Sequence, residues 1–174
     1  MIMATDRPDE AAEVERDEAR EALMGLMDRY ERSLCTYLTT LLGDRDLALD
    51  CAQETFITCY QHLAGGKQVN ARWLYTVARN RAITELRRRQ RLQPHDDGLE
   101  NIPDTRVSEW GGEQAVRRAL AALSQEDREV LYLFSVDRLK TEEIAGILGI
   151  RATAVRMRLT RARQRFRRIY GDGT

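Results

Sequence analysis

Eight arginines fall within residues 151–168: Arg151, Arg156, Arg158, Arg161, Arg163, Arg165, Arg167 and Arg168. Guanidinium groups at this density suit phosphate oxygens, with which each can make two parallel hydrogen bonds. A second cluster, Arg79, Arg81, Arg87, Arg88, Arg89 and Arg91, closes an earlier segment, yet the 28 basic side chains of the chain are balanced by 28 acidic ones. Counted by segment, the net charge is −8 over residues 1–60, +7 over 61–94, −6 over 95–137 and +7 over 138–174. Two basic modules, each preceded by an acidic one, point to a repeated contact with a polyanion. Covalent chemistry finds little support. Cys35, Cys51 and Cys59, with His62 and His95, match no zinc spacing and read as reduced packing residues. Asp96 and Asp97, the pair a metal-dependent nuclease would need, fall in a turn-rich stretch with no scaffold to fix a cation. We expect no enzyme, no metal and no cofactor.

The elements that must position these arginines are helical. Leu23, Met27, Tyr30, Leu34, Tyr37 and Leu41 recur at steps of four and three, one apolar stripe ended by Gly43. A second helix is predicted from Leu47 to Leu63, burying Ala48, Ala52, Phe56 and Leu63. A loop, AGGKQVN, follows at residues 64–70, and a third helix runs from Ala71 to Leu92 with Leu74, Ala78, Ala82 and Leu86 inward. The pattern stops at residues 95–112, which hold Pro103, several turn formers and five acidic residues. It resumes with Val116, Leu120 and Leu123, and Ser124 reads as the N-cap of a helix carrying Val130, Leu131 and Phe134. Thr141 is the expected N-cap of the next helix, Gly149 permits a sharp turn, and a last helix is predicted to begin near Thr153. There Val155, Leu159, Ala162, Phe166 and Ile169 form one buried stripe that leaves the arginines outside. This is a helix-turn-helix pattern, and a rod of helical width fits a DNA major groove. The fold class is all-α: two small helical domains joined by a flexible acidic linker. The expected divisions are an acidic N-terminal tail (1–20), a first domain (21–94), the linker (95–112) and the helix-turn-helix domain (113–170). No run of about 18 apolar residues crosses a membrane, and no secretory leader opens the chain, so a cytoplasmic protein is expected.

Residues 141–168 resemble the promoter-binding domain of bacterial sigma factors. LALDCAQETFITCYQHL with ARWLYTVARNRAITELRRR, spanning residues 47–89, resembles their core-binding and promoter-melting domain. Both segments in this order resemble the extracytoplasmic-function group, which keeps only these two domains. The resemblance implies a promoter-specificity subunit that binds core RNA polymerase through Asp50, Gln53, Glu54 and Phe56. It implies that the loop bearing Lys67, Gln68 and Asn70 captures an unpaired base of the minus-10 element, flanked by phosphate contacts from Arg79, Arg81, Arg87 and Arg88. The minus-35 element would be read by Arg156, Met157, Thr160 and Arg161, where arginine can bond guanine bidentately and Thr160 or Met157 can meet a thymine methyl. The resemblance also admits an anti-sigma factor as a partner. The alternative is a helix-turn-helix regulator that binds DNA without polymerase.

Overall fold

The computed structural model describes residues 8–92 and 114–171, and every regular element among them is an α-helix. The first three are α1 (Pro8–Leu42), α2 (Arg45–Ala64) and α3 (Ala71–Leu92). The helix expected from Leu23 begins much earlier, so residues 8–20 continue α1 rather than precede it. Gly43, at φ 69°, ends it with its N–H on the Thr39 carbonyl. The carboxylate of Asp44 then accepts the Leu47 N–H at 3.1 Å and starts α2 two residues before the expected position. Leu34 and Leu38 of α1, Ala48 and Ala52 of α2, and Leu74, Ala78 and Ala82 of α3 form the core of this half. Small residues on α2 and α3 let the helices approach closely.

The second half comprises α4 (Gln114–Ala121), α5 (Gln125–Ser135), α6 (Thr141–Leu148) and α7 (Ala152–Gly171). Ser124 Oγ accepts the Asp127 N–H at 3.2 Å, the expected cap of α5. Arg128, buried to 2% exposure, donates to the carbonyls of Leu120 and Leu123 at 3.1 and 3.0 Å. It thereby satisfies acceptors left open where α4 ends. Burial pulls its guanidinium pKa down from its ordinary value.

The two halves share one continuous buried cluster. Helix α3 packs against α6 as well as α1 and α2, and α1 also touches α5. Tyr37 of α1 lies edge-on to Tyr75 of α3, with ring centroids 5.2 Å apart, and 6.0 Å from Tyr132 of α5. The linker expected at residues 95–112, with His95, Asp96 and Asp97, lies outside the described residues.

Candidate nucleic-acid interface

The turn before α7 depends on Gly149, whose φ of 67° lies in the left-handed region that costs a side chain free energy. Its N–H and that of Ile150 both reach back to the Ala145 carbonyl. At the start of α6 the expected cap is displaced by one residue. Lys140 holds the cap position and its N–H donates to Glu143 Oε2 at 2.8 Å, while Thr141 is already helical. Val155, Leu159 and Ala162 bury one side of α7, and Arg156, Met157, Thr160 and Arg161 stand exposed on the other. Met157 is 62% exposed, a large apolar side chain left in water at the centre of that face. The neighbouring arginines are tied inward. Arg158 pairs with Glu126 and Arg165 with Asp127, each at 2.9 Å, and the Arg163 guanidinium lies 4.5 Å from the Phe134 ring centroid. They fix the roll of α7 on α5 and leave the four residues exposed, with Arg156 3.5 Å from Glu142 Oε1 of α6 and the Thr160 hydroxyl donating to the Arg156 carbonyl at 3.0 Å.

The candidate minus-10 residues are less uniformly available. Lys67 and Gln68 are exposed in the loop, but Asn70 Oδ1 accepts the Trp73 N–H at 2.9 Å as the cap of α3. Its amide NH2, which makes no part of the cap, is left to meet a base edge. Trp73 stacks on His62, ring centroids 4.5 Å apart, and closes the base of this loop. Arg87 is exposed, and Arg88 makes two hydrogen bonds to Glu85 that hold the Glu85 carboxyl below its usual range. Arg81, expected on phosphate, binds Glu54 and the Thr58 hydroxyl instead, joining α3 to α2. Arg79, also expected on phosphate, turns its Nε to Glu129 of α5 at 2.9 Å. In this arrangement neither is presented to a phosphate.

The face of α2 also differs from expectation. Asp50, Gln53 and Glu54 are exposed, but Glu54 is the Arg81 partner, a cross-helix neighbour that spacing along α2 does not reveal. Phe56 is 6% exposed and belongs to the core. The exposed apolar residues are Leu49 and Ile57, at 40% and 58%, one turn either side of Gln53. They border an open groove against α1, lined by Leu23, Met27 and Cys35. Cys51 and Cys59 are buried, and burial pushes the Cys59 thiol up to about 11, far from a reactive thiolate. Among the described residues, no group of three or more His, Cys, Asp or Glu could hold a metal ion, and no helix is long and apolar enough to cross a membrane.

Residues 26–92 match the family described as Sigma-70 region 2, and residues 113–166 match Sigma-70, region 4. The RNA polymerase sigma factor YlaC of Bacillus subtilis is 30% identical over 154 residues, covering 83% of this chain and 89% of that relative. The ECF RNA polymerase sigma factor SigL of Mycobacterium tuberculosis is 36% identical over 152 residues, covering 81% and 85%. The chain belongs to the extracytoplasmic-function sigma factors. Its fold is also that of the sigma factor RpoE from Bartonella quintana, solved in complex with the anti-sigma factor NepR. The TM-score is 0.66 at 24% identity, over 86% of this chain and 94% of that one. The sigma factor thus serves promoter-specific transcription initiation, with the region 2 match covering the C-terminal half of α1 and all of α2 and α3, and the region 4 match covering the helix-turn-helix. Four of its notable residues escape sequence reasoning. Leu49 and Ile57 break the buried row of α2, a detectable signal, whereas Glu129 and Arg128 carry no local mark of their partners.

Proposed function

We propose that this sigma factor recognises its promoter at two sites and docks on core RNA polymerase through α2. Units at residues 21–94 and 113–170 each take one promoter element, with residues 95–112 between them. On α2 the docking face is Leu49, Gln53 and Ile57 flanked by Asp50, a mixed apolar and polar stripe of the kind that forms interface cores. The loop with Lys67, Gln68 and the Asn70 amide group captures an unpaired minus-10 base, since these donors can reach a base edge only once it leaves the duplex. Arg87 and Arg88 contact backbone phosphate beside it. Arg156, Met157, Thr160 and Arg161 read the minus-35 element in the major groove. The protein performs no covalent chemistry and works in the cytoplasm. An anti-sigma factor is a further partner, by analogy with RpoE and its bound NepR.

The observation that carries this reading is the face of α7. Four side chains able to read bases stand together in solvent, on a helix whose opposite side is buried and whose entry is set by Gly149. Run-off transcription with purified core RNA polymerase over a genomic fragment library, with and without the protein, tests it. Initiation from a discrete set of fragments sharing two spaced elements is expected. DNA footprints by the protein alone, with no association with core enzyme, would favour the stand-alone regulator.

A further inference from the structure

Glu129 is the most enclosed carboxylate with a guanidinium partner among the described residues, at 6% side-chain exposure. Its Oε1 accepts the Tyr37 hydroxyl at 2.7 Å and Arg79 Nε at 2.9 Å, so two elements of the first half grip one residue of the second. Around it the halves meet through polar groups. Tyr132 donates its hydroxyl to the Ser33 carbonyl at 2.8 Å, and the Gln125 amide reaches the Leu41 carbonyl at 3.4 Å. Arg72, at the start of α3, rests on Gly146 of α6 so closely that a Cβ there would lie 2.3 Å from its Nε. The second half therefore lies against the side of α3 that bears Arg72 and Arg79 and partly buries Arg79, whereas Arg72, Arg87 and Arg88 stay exposed.

We propose that Glu129 is a built-in substitute for promoter phosphate, holding Arg79 in a closed form of the chain that must open before Arg79 can meet DNA. The inference rests on the reading of α3 as a DNA-facing helix. A carboxylate and a phosphate offer a guanidinium the same pair of anionic oxygens, and one arginine cannot serve both at once. The seam is suited to opening. Beside the buried apolar cluster that the two halves share, its hydroxyls, amide and ion pair can exchange their partners for water, and interfaces between the domains of one chain commonly permit motion. One group in it is poorly served when closed: Asp137, beside Ser33 and Tyr75, has a buried Oδ2 without a hydrogen-bond partner. Its enclosure works against the closed form and keeps the latch from becoming permanent.

The test uses the full chain with Glu129→Gln, which keeps the side chain's shape and removes its charge. Small-angle scattering reads compactness, and anisotropy of a fluorescent forked DNA of mixed sequence reads affinity. The variant is expected to expand and to bind about five- to tenfold more tightly, the factor by which a dominant closed form depresses the competent fraction. Tyr37→Phe, which keeps the ring and removes one hydroxyl, is expected to move both readouts the same way by less, and guards against a folding defect in the first variant. In an Arg79→Ala background the gain from Glu129→Gln must vanish; a gain that persists shows that general charge repulsion is its cause and overturns the proposal. Folded variants with unchanged size and affinity overturn the latch. Expansion without tighter binding overturns the competition with phosphate by removing Arg79 from the DNA-facing set, while leaving transcription from the α7 face untouched.

Discussion

Replacing Ile57 by alanine separates docking from folding. Complete burial of a large aliphatic side chain stabilises by about 1.5–3 kcal/mol, and Ile57 is 58% exposed in the isolated chain. If core polymerase covers what remains, the loss on truncation is about 1–2 kcal/mol, or roughly 5- to 30-fold in affinity. Its small contribution to the core predicts a melting temperature close to that of the parent. Phe56→Ala is the control. At 6% exposure its ring lies in the core, so the same truncation costs about 3–5 kcal/mol of folding stability through the cavity it leaves. The assay is equilibrium binding of labelled sigma factor to purified core RNA polymerase, paired with thermal unfolding of each variant alone. An Ile57→Ala chain that binds core as tightly as the parent would refute the stripe as the docking face. A large drop in its melting temperature would refute the claim that Ile57 is held ready for a partner.

On α7, Arg156→Ala or Arg161→Ala should each reduce discrimination at one promoter position by about 1–3 kcal/mol, whereas Arg168→Ala should weaken binding to all sequences alike; competition binding against single-base promoter variants distinguishes the two, and uniform losses from all three would remove the reading face. Arg128→Met removes two sound hydrogen bonds to the Leu120 and Leu123 carbonyls at the end of α4 while relieving a buried charge, one of whose nitrogens has no partner. A net loss of about 2–3 kcal/mol is expected, the range for leaving buried carbonyls unpaired, and an unchanged urea midpoint would show that these carbonyls find other donors. Burial raises Asp137 above the ordinary aspartate range, so the folded chain holds that proton more tightly than the unfolded chain. The stability this group contributes is fully present below the unfolded value and is lost as pH rises through the folded one. Asp137→Asn should therefore gain on the parent with rising pH across that window and then level off, as urea midpoints at several pH values will show; a flat or opposite trend contradicts it.

The parts legible in the sequence are those that a helix decides for itself. The row Leu74, Ala78 and Ala82, the stripe Val155, Leu159 and Ala162, and the left-handed turn at Gly149 follow from periodicity and from one residue's backbone freedom. What spacing conceals is partnership between distant segments. Arg81 looks like its neighbours on α3 until Glu54 of α2 is set beside it, and Arg79 gives no sign that Glu129, fifty residues away, is its partner. Asn70 is legible as a polar loop residue, but spacing does not show that its Oδ1 caps α3, which fixes the side chain's orientation. Periodicity puts Phe56 inward, whereas the resemblance puts it on the docking face with Gln53, and a side chain cannot do both. At 100° per residue it falls inward with Ala52.

The stacked rings of His62 and Trp73 make the loop after α2 its own optical probe. Trp73 is one of two tryptophans in the chain, and an imidazole face 4.5 Å from its indole perturbs its emission. Any event that shifts the end of α2, which carries His62, against the start of α3, which carries Trp73, separates the pair and changes the colour or brightness of the signal. With Trp110 replaced by phenylalanine, strand capture by this loop becomes visible in a stopped-flow fluorimeter with no added dye, in real time and on unlabelled promoter.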